Sequence, residues 1–190
     1  MNNHQQIEAV FRSLNREIWI VTAASGRSRG GLIATWVSQA SLDPLDPVVV
    51  IGIATNHFTR TLIDESHRFG LHLLRPNQTE LALNFATGSG RDRDKLAGLP
   101  LQPNRNPPVL ADCASWLECE VESRVDGGDR VYYWSKVIGG QKFSPEAPLC
   151  EQQLIAAASP DQLAALKQNR LEDIELQRPL IQAWRANRER

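Results

Sequence analysis

The segment Pro47-Val48-Val49-Val50-Ile51-Gly52-Ile53-Ala54 is a near-continuous apolar run. Such a run, too short for a confident helix and rich in β-branched residues, reads as a strand covered on both faces. A chain that carries one must fold a sheet with material on either side. The longest apolar stretch, Val48 to Ala54, is seven residues, far short of the roughly 20 needed to cross a bilayer as a helix. The sequence therefore points to a layered or closed β-architecture that does not span a membrane.

The segments around this run supply the rest of that sheet. Gln5 to Asn15 predicts an amphipathic helix, with Ile7, Val10, Phe11 and Leu14 at i, i+3, i+4, i+7. Glu17 to Ala24 reads as a strand, Ser25 to Gly31 as a turn, and Leu32 to Val37 as its hairpin partner. Asn56 is placed to cap a short helix carrying Phe58, Leu62 and Ile63, and Phe69 to Leu74 reads as another strand. Asn77 is placed to cap a helix with Leu81, Leu83 and Phe85. Gly98 to Pro108 holds four of the eleven prolines and reads as a loop.

Two strands with period-2 alternation follow. Leu117, Cys119, Val121 and Val125 share one face, and Glu118, Glu120, Glu122 and Arg124 the other. The turn Asp126-Gly127-Gly128-Asp129 returns the chain into Val131 to Ile138. Strands outnumber helices, without regular strand–helix alternation, so the expected fold is mainly β: an antiparallel barrel with peripheral helices. From Ser144 the sequence turns Ala-, Gln- and Leu-rich. Ser159-Pro160 opens a helix with Leu163, Leu166, Leu171 and Ile174 at helical spacing, and Pro179 is expected to interrupt it. The expected organisation is a barrel domain over 1–143 and a helical C-terminal extension over 144–190.

Charge excludes some partners. Twenty-one Lys+Arg against 22 Asp+Glu give a net charge of −1, which provides no overall field for nucleic acid or an anionic membrane. Three cysteines, Cys113, Cys119 and Cys150, lack CxxC spacing and argue against a disulfide framework or a zinc knuckle. The polar stretch Met1 to Gln6 lacks the apolar segment of a secretory signal. The expectation is a cytoplasmic protein with reduced thiols.

No GxSxG, Walker loop, HExxH or GxGxxG occurs, and His4, His57, His67 and His72 do not show metal-ligand spacing. A side-chain nucleophile or a metal centre is therefore not expected. His72 sits in a strand and reads as a packed core or surface residue, and Cys119 as a buried small hydrophobe. Three clusters remain. Thr35, Ser38 and Ser41 stand near a strand end, where hydroxyls and amides can hold a phosphate or the edge of a planar heterocycle. Thr55-Asn56-His57-Phe58-Thr59-Arg60 opens a helix, a place for an anion. Asn84 to Lys95 is a helix end followed by a charged loop, equally read as solvated surface.

In this order and spacing, the chain resembles the flavin reductase-like family, which adopts the FMN-binding split barrel. The matching pieces are Val21-Thr22-Ala23, Gly31-Leu32, Val37-Ser38-Gln39-Ala40-Ser41-Leu42-Asp43-Pro44, Asn56-His57-Phe58-Thr59, Phe69-Gly70-Leu71-His72-Leu73-Leu74, Phe85-Ala86, Asp94-Lys95-Leu96, Leu117 to Val121 and Gly128-Asp129. They cover about residues 10–140. A fainter similarity, through Trp36 to Ser41, is to the reductase domain of flavodiiron proteins. The resemblance implies a homodimer with FMN, or FAD, in a groove near the subunit interface. Thr35, Trp36, Val37, Ser38 and Ser41 would line the flavin; Asn56, His57, Thr59 and Arg60 would lie near its phosphate or ribityl chain. Phe85 and Ala86 would close the site.

The family typically transfers a hydride from NADH or NADPH to flavin and releases reduced flavin to a partner oxygenase. That accords with the missing catalytic side chains, because the flavin supplies the chemistry and the protein binds and orients it. Where the family usually has Gly-Asp-His, this chain has Gly128-Asp129-Arg130, and Ser135 replaces a usual glycine. The family histidine is associated with nicotinamide binding, which puts Asp129 and Arg130 at that place. A guanidinium does not donate protons near neutrality but can grip a pyrophosphate or 2′-phosphate. Three readings stay open on these residues: an NAD(P)H-dependent flavin reductase, a non-catalytic FMN-binding redox partner, and a cofactor-free interaction module.

Overall fold

In the computed structural model, which describes residues 2–188, seven strands form one antiparallel sheet. They are β1 (Trp19–Ser25), β2 (Ser28–Ala34), β3 (Val37–Gln39), β4 (Val48–Ala54), β5 (Arg68–Leu73), β6 (Ser115–Asp126) and β7 (Arg130–Lys142). Helices α1 (Asn3–Arg12), α2 (Phe58–Ser66), α3 (Thr79–Ala86), α4 (Glu151–Ala157) and α5 (Pro160–Arg188) complete the described chain. The strand order is β2-β1-β5-β6-β7-β4-β3. Strands β2 and β3 are thus the two edges of the sheet, yet only Thr35 and Trp36 separate them in sequence. Three peptide steps span at most about 11 Å, so the edges must come together and the sheet must curl into a split barrel.

Curling gives the inner strands two buried faces. On β1, Val21 and Ala23 join a core with Ile51 and Ile53 of β4, Leu62 and Ile63 of α2, Phe69 and Leu71 of β5, and Tyr133 of β7. Ile18 and Ile20, of opposite parity, join a second core with Leu83 and Phe85 of α3, Val109, Leu110, Trp116 and Leu154 of α4. Each fully buried Ile, Leu or Phe contributes about 1.5–3 kcal/mol. The apolar run Val48–Ala54 is β4, between β3 and β7, as its composition requires.

Several expectations are corrected. The β1–β2 turn is only Gly26-Arg27, with Ser25 paired to Ser28, so Ser28 to Gly31 belong to the strand. Gly26 takes φ +57, which a primed hairpin turn demands at its first central position. His57 and Gln78 occupy the N-cap positions of α2 and α3, without side-chain capping bonds, in place of Asn56 and Asn77. On β6 the clean alternation breaks at two register shifts, Glu118/Cys119 and Val121/Ser123. Glu118 is buried against Arg105 (3.2 Å), while Val125 is exposed. Cys119 is buried in the inner core, as expected.

Helix α1 forms, but none of its residues is buried, and Ile7, Val10, Phe11 and Leu14 stand half exposed. Helix α5 runs through Pro179 as one helix of 29 residues, about 44 Å long. A proline removes one hydrogen bond and bends a helix without ending it when both flanks are good helix formers. The single buried residue of α5 is Gln177, and Leu163, Leu171 and Ile174 are partly exposed. The face that α5 turns to the barrel is therefore mixed: Leu166 packs against the second core, as the leucine spacing suggests, and Asp173 and Gln177 line the groove beyond it.

His72 of β5 is fully buried. Leu110 N–H donates to its Nε2 at 3.1 Å, so Nδ1 carries the hydrogen and donates to the Ile20 carbonyl, also at 3.1 Å. Burial holds its pKa down to about 4, the bond to Ile20 opposing weakly. The native state thus needs a neutral ring. That preference contributes of order 3 kcal/mol, fully present above the ordinary histidine value near pH 6.5 and lost as pH falls toward about 4. His72→Gln is expected to be less stable than wild type at about pH 7, with the gap shrinking by about pH 4.5, as read by urea unfolding at both pH values.

Candidate functional site

The closure at Thr35-Trp36 leaves a groove of about 800 Å³ at the split of the barrel. Its walls come from the end of β2 (Gly31 to Ala34), Thr35 and Trp36, the end of β4 (Gly52 to Ala54), and the start of α2. The end of α3 with the loop after it, Arg130 at the start of β7, and one face of α5 complete the lining. The size falls in the range of about 300–1,000 Å³ typical of small-molecule sites.

Register explains why these residues meet. Ala54 of β4 pairs with Arg130 of β7, and the Thr55 N–H donates to the Asp129 carbonyl at 3.0 Å. The turn after β4 and the β6–β7 hairpin end are thereby held side by side, which puts Asn56 and Arg130 in one lining. The Gly52 N–H donates to the Trp36 carbonyl at 3.0 Å and fixes the Thr35-Trp36 link against β4. The Arg130 guanidinium then lies over the Trp36 ring, 3.9 Å from its centroid, a stack worth about 0.5–2 kcal/mol.

Of the residues expected from sequence, Thr35, Trp36, Asn56, His57, Thr59, Phe85, Ala86 and Arg130 line this groove together. Val37 and Ser38 do not; they line a smaller hollow of about 390 Å³ on the other side of Trp36, with Tyr132 and Arg16. Ser41 lies in the loop before β4, where its Oγ accepts the Asp43 N–H. The Arg60 side chain is engaged by Thr55 O (3.0 Å) and by Asp64. The Asp129 carboxylate stands 3.6 Å from Arg130 Nε. Neither Ser41, Arg60 nor Asp129 is part of the groove lining.

Two cations distinguish the site, a buried lysine and a half-buried arginine. Lys95 is 4% exposed and its ammonium donates to the Phe85 carbonyl at 2.9 Å. Burial, with the neighbouring Arg93 charge, holds its pKa down to about 8. Arg130 is also pushed down by burial, with Asp129 opposing, and its Nε is buried without a hydrogen-bond partner. Desolvated positive charge of this kind is stabilised by an anion. Lys95 ends the run Arg91-Asp92-Arg93-Asp94-Lys95, which reads as solvated surface; nothing in local spacing tells its burial from its neighbours' exposure. Among the described residues, no cluster of three or more His, Cys, Asp or Glu is placed to hold a metal. Nor is any described helix long and apolar enough to cross a membrane.

Residues 11–152 match the family described as flavin reductase-like domain. The chain belongs to that family. Among curated relatives, a diflavin flavoprotein of Synechocystis sp. is 30% identical over 142 residues, which cover 74% of this chain and 24% of the relative. A putative diflavin flavoprotein of Nostoc sp. is 33% identical over 143 residues, 74% and 25% of the two chains. The chain thus spans about a quarter of the length of these relatives.

Among solved structures, an NADH:FAD oxidoreductase of Streptomyces globisporus superposes with a TM-score of 0.68 at 21% identity, covering 78% of this chain and 87% of that one. An FMN-binding protein from Thermus thermophilus gives 0.63 at 22%, covering 70% and 73%. These likenesses establish the split-barrel fold, and membership in the flavin reductase-like family supports a flavin-related redox function. Helix α5 lies outside the matched residues.

The groove of this flavin reductase-like chain depends on close packing at Gly31. A Cβ there would stand 2.6 Å from the Phe85 ring and 2.9 Å from the Val21 carbonyl. Gly31→Ala must displace Phe85 or bend β1, and is expected to cost about 1–3 kcal/mol, measured as a lowered thermal midpoint.

Proposed function

We propose that this chain binds a flavin nucleotide, FMN with FAD as the other candidate, in the groove. There it transfers a hydride from NAD(P)H to the flavin. The observation that carries the reading is the convergence of Thr35, Trp36, Asn56, Thr59 and Phe85 around a cavity with two cations, buried Lys95 and half-buried Arg130. An aromatic-rimmed cavity with desolvated positive charge fits a flat, anionic nucleotide. The name of the Streptomyces relative, an NADH:FAD oxidoreductase, and that of the FMN-binding Thermus relative support the same reading.

When bound, the flavin supplies the electron-accepting ring, so the chain needs no acid–base pair. Phe85 and Trp36 bound the ring site, and Gly31 lets Phe85 close on it. Thr59, buried at the start of α2, and Asn56 face the polar end of the groove. Lys95, still protonated for the most part at neutral pH with a pKa near 8, places a fixed positive charge at the floor, where it stabilises negative charge gained on reduction. Arg130 stays charged throughout, and its guanidinium, stacked on Trp36 in the groove lining with Asp129 3.6 Å from Nε, supplies positive charge for the phosphates of the nicotinamide substrate. In this reading the protein acts in the cytoplasm as a homodimer and passes electrons to an oxygenase or another acceptor.

A specific observation favours the second reading, an FMN-binding redox partner without NAD(P)H turnover. Arg130, in the place of the family histidine, is already stacked on Trp36 and lies 3.5 Å from Gln177 of α5. Both readings expect a flavin absorption spectrum, in the protein as purified or after FMN is added. Anaerobic stopped-flow mixing with NADH and with NADPH separates them: bleaching of the flavin by either establishes the reductase, and no bleaching leaves the redox partner. No flavin uptake at all overturns both.

Lys95→Met is expected to weaken FMN binding by roughly tenfold or more, from the loss of a charge-assisted interaction of about 1.5–3 kcal/mol. Fluorescence titration with FMN checks it, and unchanged affinity removes Lys95 from the site.

A further inference from the structure

Helix α5 is the part of this chain that its family does not account for, since the family match ends at residue 152. It does not hang free. Leu166, Arg170, Asp173 and Gln177, spaced three and four apart along one face, line the groove. Asp173 Oδ1 accepts from the Asn56 side-chain amide at 2.8 Å, and Asp173 Oδ2 stands 3.6 Å from His57 Nε2. One turn further on, the Gln177 amide lies 3.5 Å from the Asn56 Oδ1. Both ends of the Asn56 amide therefore face α5, and its orientation is set from there. The Asn56 carbonyl in turn accepts from Arg91 Nη1 at 3.0 Å, across the groove mouth.

The same helix is pinned elsewhere by a contact outside the groove. Trp184 Nε1 donates to the Asp126 carbonyl at 3.0 Å. Gly128, at φ +90, allows this approach, because a Cβ there would stand 2.7 Å from Trp184 Cβ. Anchoring and site-building are thus done by different residues of one helix, and a substitution can address either.

We propose that Asp173 is a positioning residue of the flavin groove, and that it acts by holding Asn56 and His57 in the orientation that meets the bound nucleotide. The inference rests on the proposed flavin site and adds to it a wall supplied by the appended helix. Asp173 does this with a hydrogen bond from Asn56 to Oδ1 and with Oδ2 set 3.6 Å from the His57 ring. Removing it frees the Asn56 amide to rotate and takes the carboxylate away from His57, so the site must order two side chains when the ligand enters.

The test uses the full chain and FMN as the probe, with Kd from flavin fluorescence and the visible spectrum of the bound flavin as a second readout. Asp173→Ala is expected to raise Kd by about tenfold or more and to alter the bound spectrum. Asp173→Asn keeps an oxygen for Asn56 and is expected to recover at least half of that loss on a logarithmic scale. Trp184→Ala loosens the helix without touching the groove and is expected to stay within about twofold of wild type. The proposal is overturned by an unchanged Kd in Asp173→Ala, by equal losses in Asp173→Ala and Trp184→Ala, or by Asp173→Asn no better than alanine. A wild type that takes up no FMN overturns the proposed function itself, and this inference with it.

Discussion

Two residues between the opposite edges of the sheet set the shape of this protein. Because Thr35 and Trp36 alone join β2 to β3, a flat seven-stranded sheet is geometrically excluded and the barrel must close at that link. Closure gives β1 and β5 two buried faces, which is why Val21 and Ile20, adjacent in sequence, belong to different cores. The incomplete seal at the link is the groove, and Trp36 stands between it and the smaller hollow beyond.

Within that frame the electrostatics are unusual at the groove, where Lys95 is buried with the Phe85 carbonyl as its hydrogen-bond partner. Most ion pairs of the described chain lie in partial solvent, such as Arg29–Asp94 and Arg68–Glu120, and such pairs contribute little, about 0–1 kcal/mol each. Lys95 and Arg130 are different, since burial works against both charges. Asp129 answers Arg130 at 3.6 Å, while a buried lysine such as Lys95 gives up stability unless something anionic answers it. That strain is concentrated at one groove, as binding sites often have it.

Much of the fold was legible in the residues because the governing patterns are local. The apolar run Val48–Ala54 is a strand whose one face, Val49, Ile51 and Ile53, is buried throughout while Val48 and Val50 on the other are half-buried, and Cys119 took the buried position expected of it. Asn56, by contrast, has a good capping side chain but does not cap α2; its amide is taken by Asp173, 117 residues away. Alternation puts Glu118 on one face with Glu120, Glu122 and Arg124, yet Glu118 alone of these is buried, beside a bulge and against Arg105. Of the apolar stripe Leu163, Leu166, Leu171 and Ile174, Leu166 packs on the second core, while Leu163 and Leu171 stay exposed and the same helix brings Asp173 and Gln177 to the groove. In each case a long-range partner decided what a short-range rule could not see.

The site divides the same way. Sequence by itself determined the family, the mainly β fold and the candidacy of Thr35, Trp36, Asn56, Thr59, Phe85 and Arg130, because these depend on residue types in a fixed order along the chain. Only the tertiary structure decided that Ser38 and Ser41 stand away from the groove, that Lys95 is buried at its floor, and that α5 forms a wall of it. Those outcomes follow from closure: what faces the split depends on how two distant edges meet, and no segment of the chain carries that information alone.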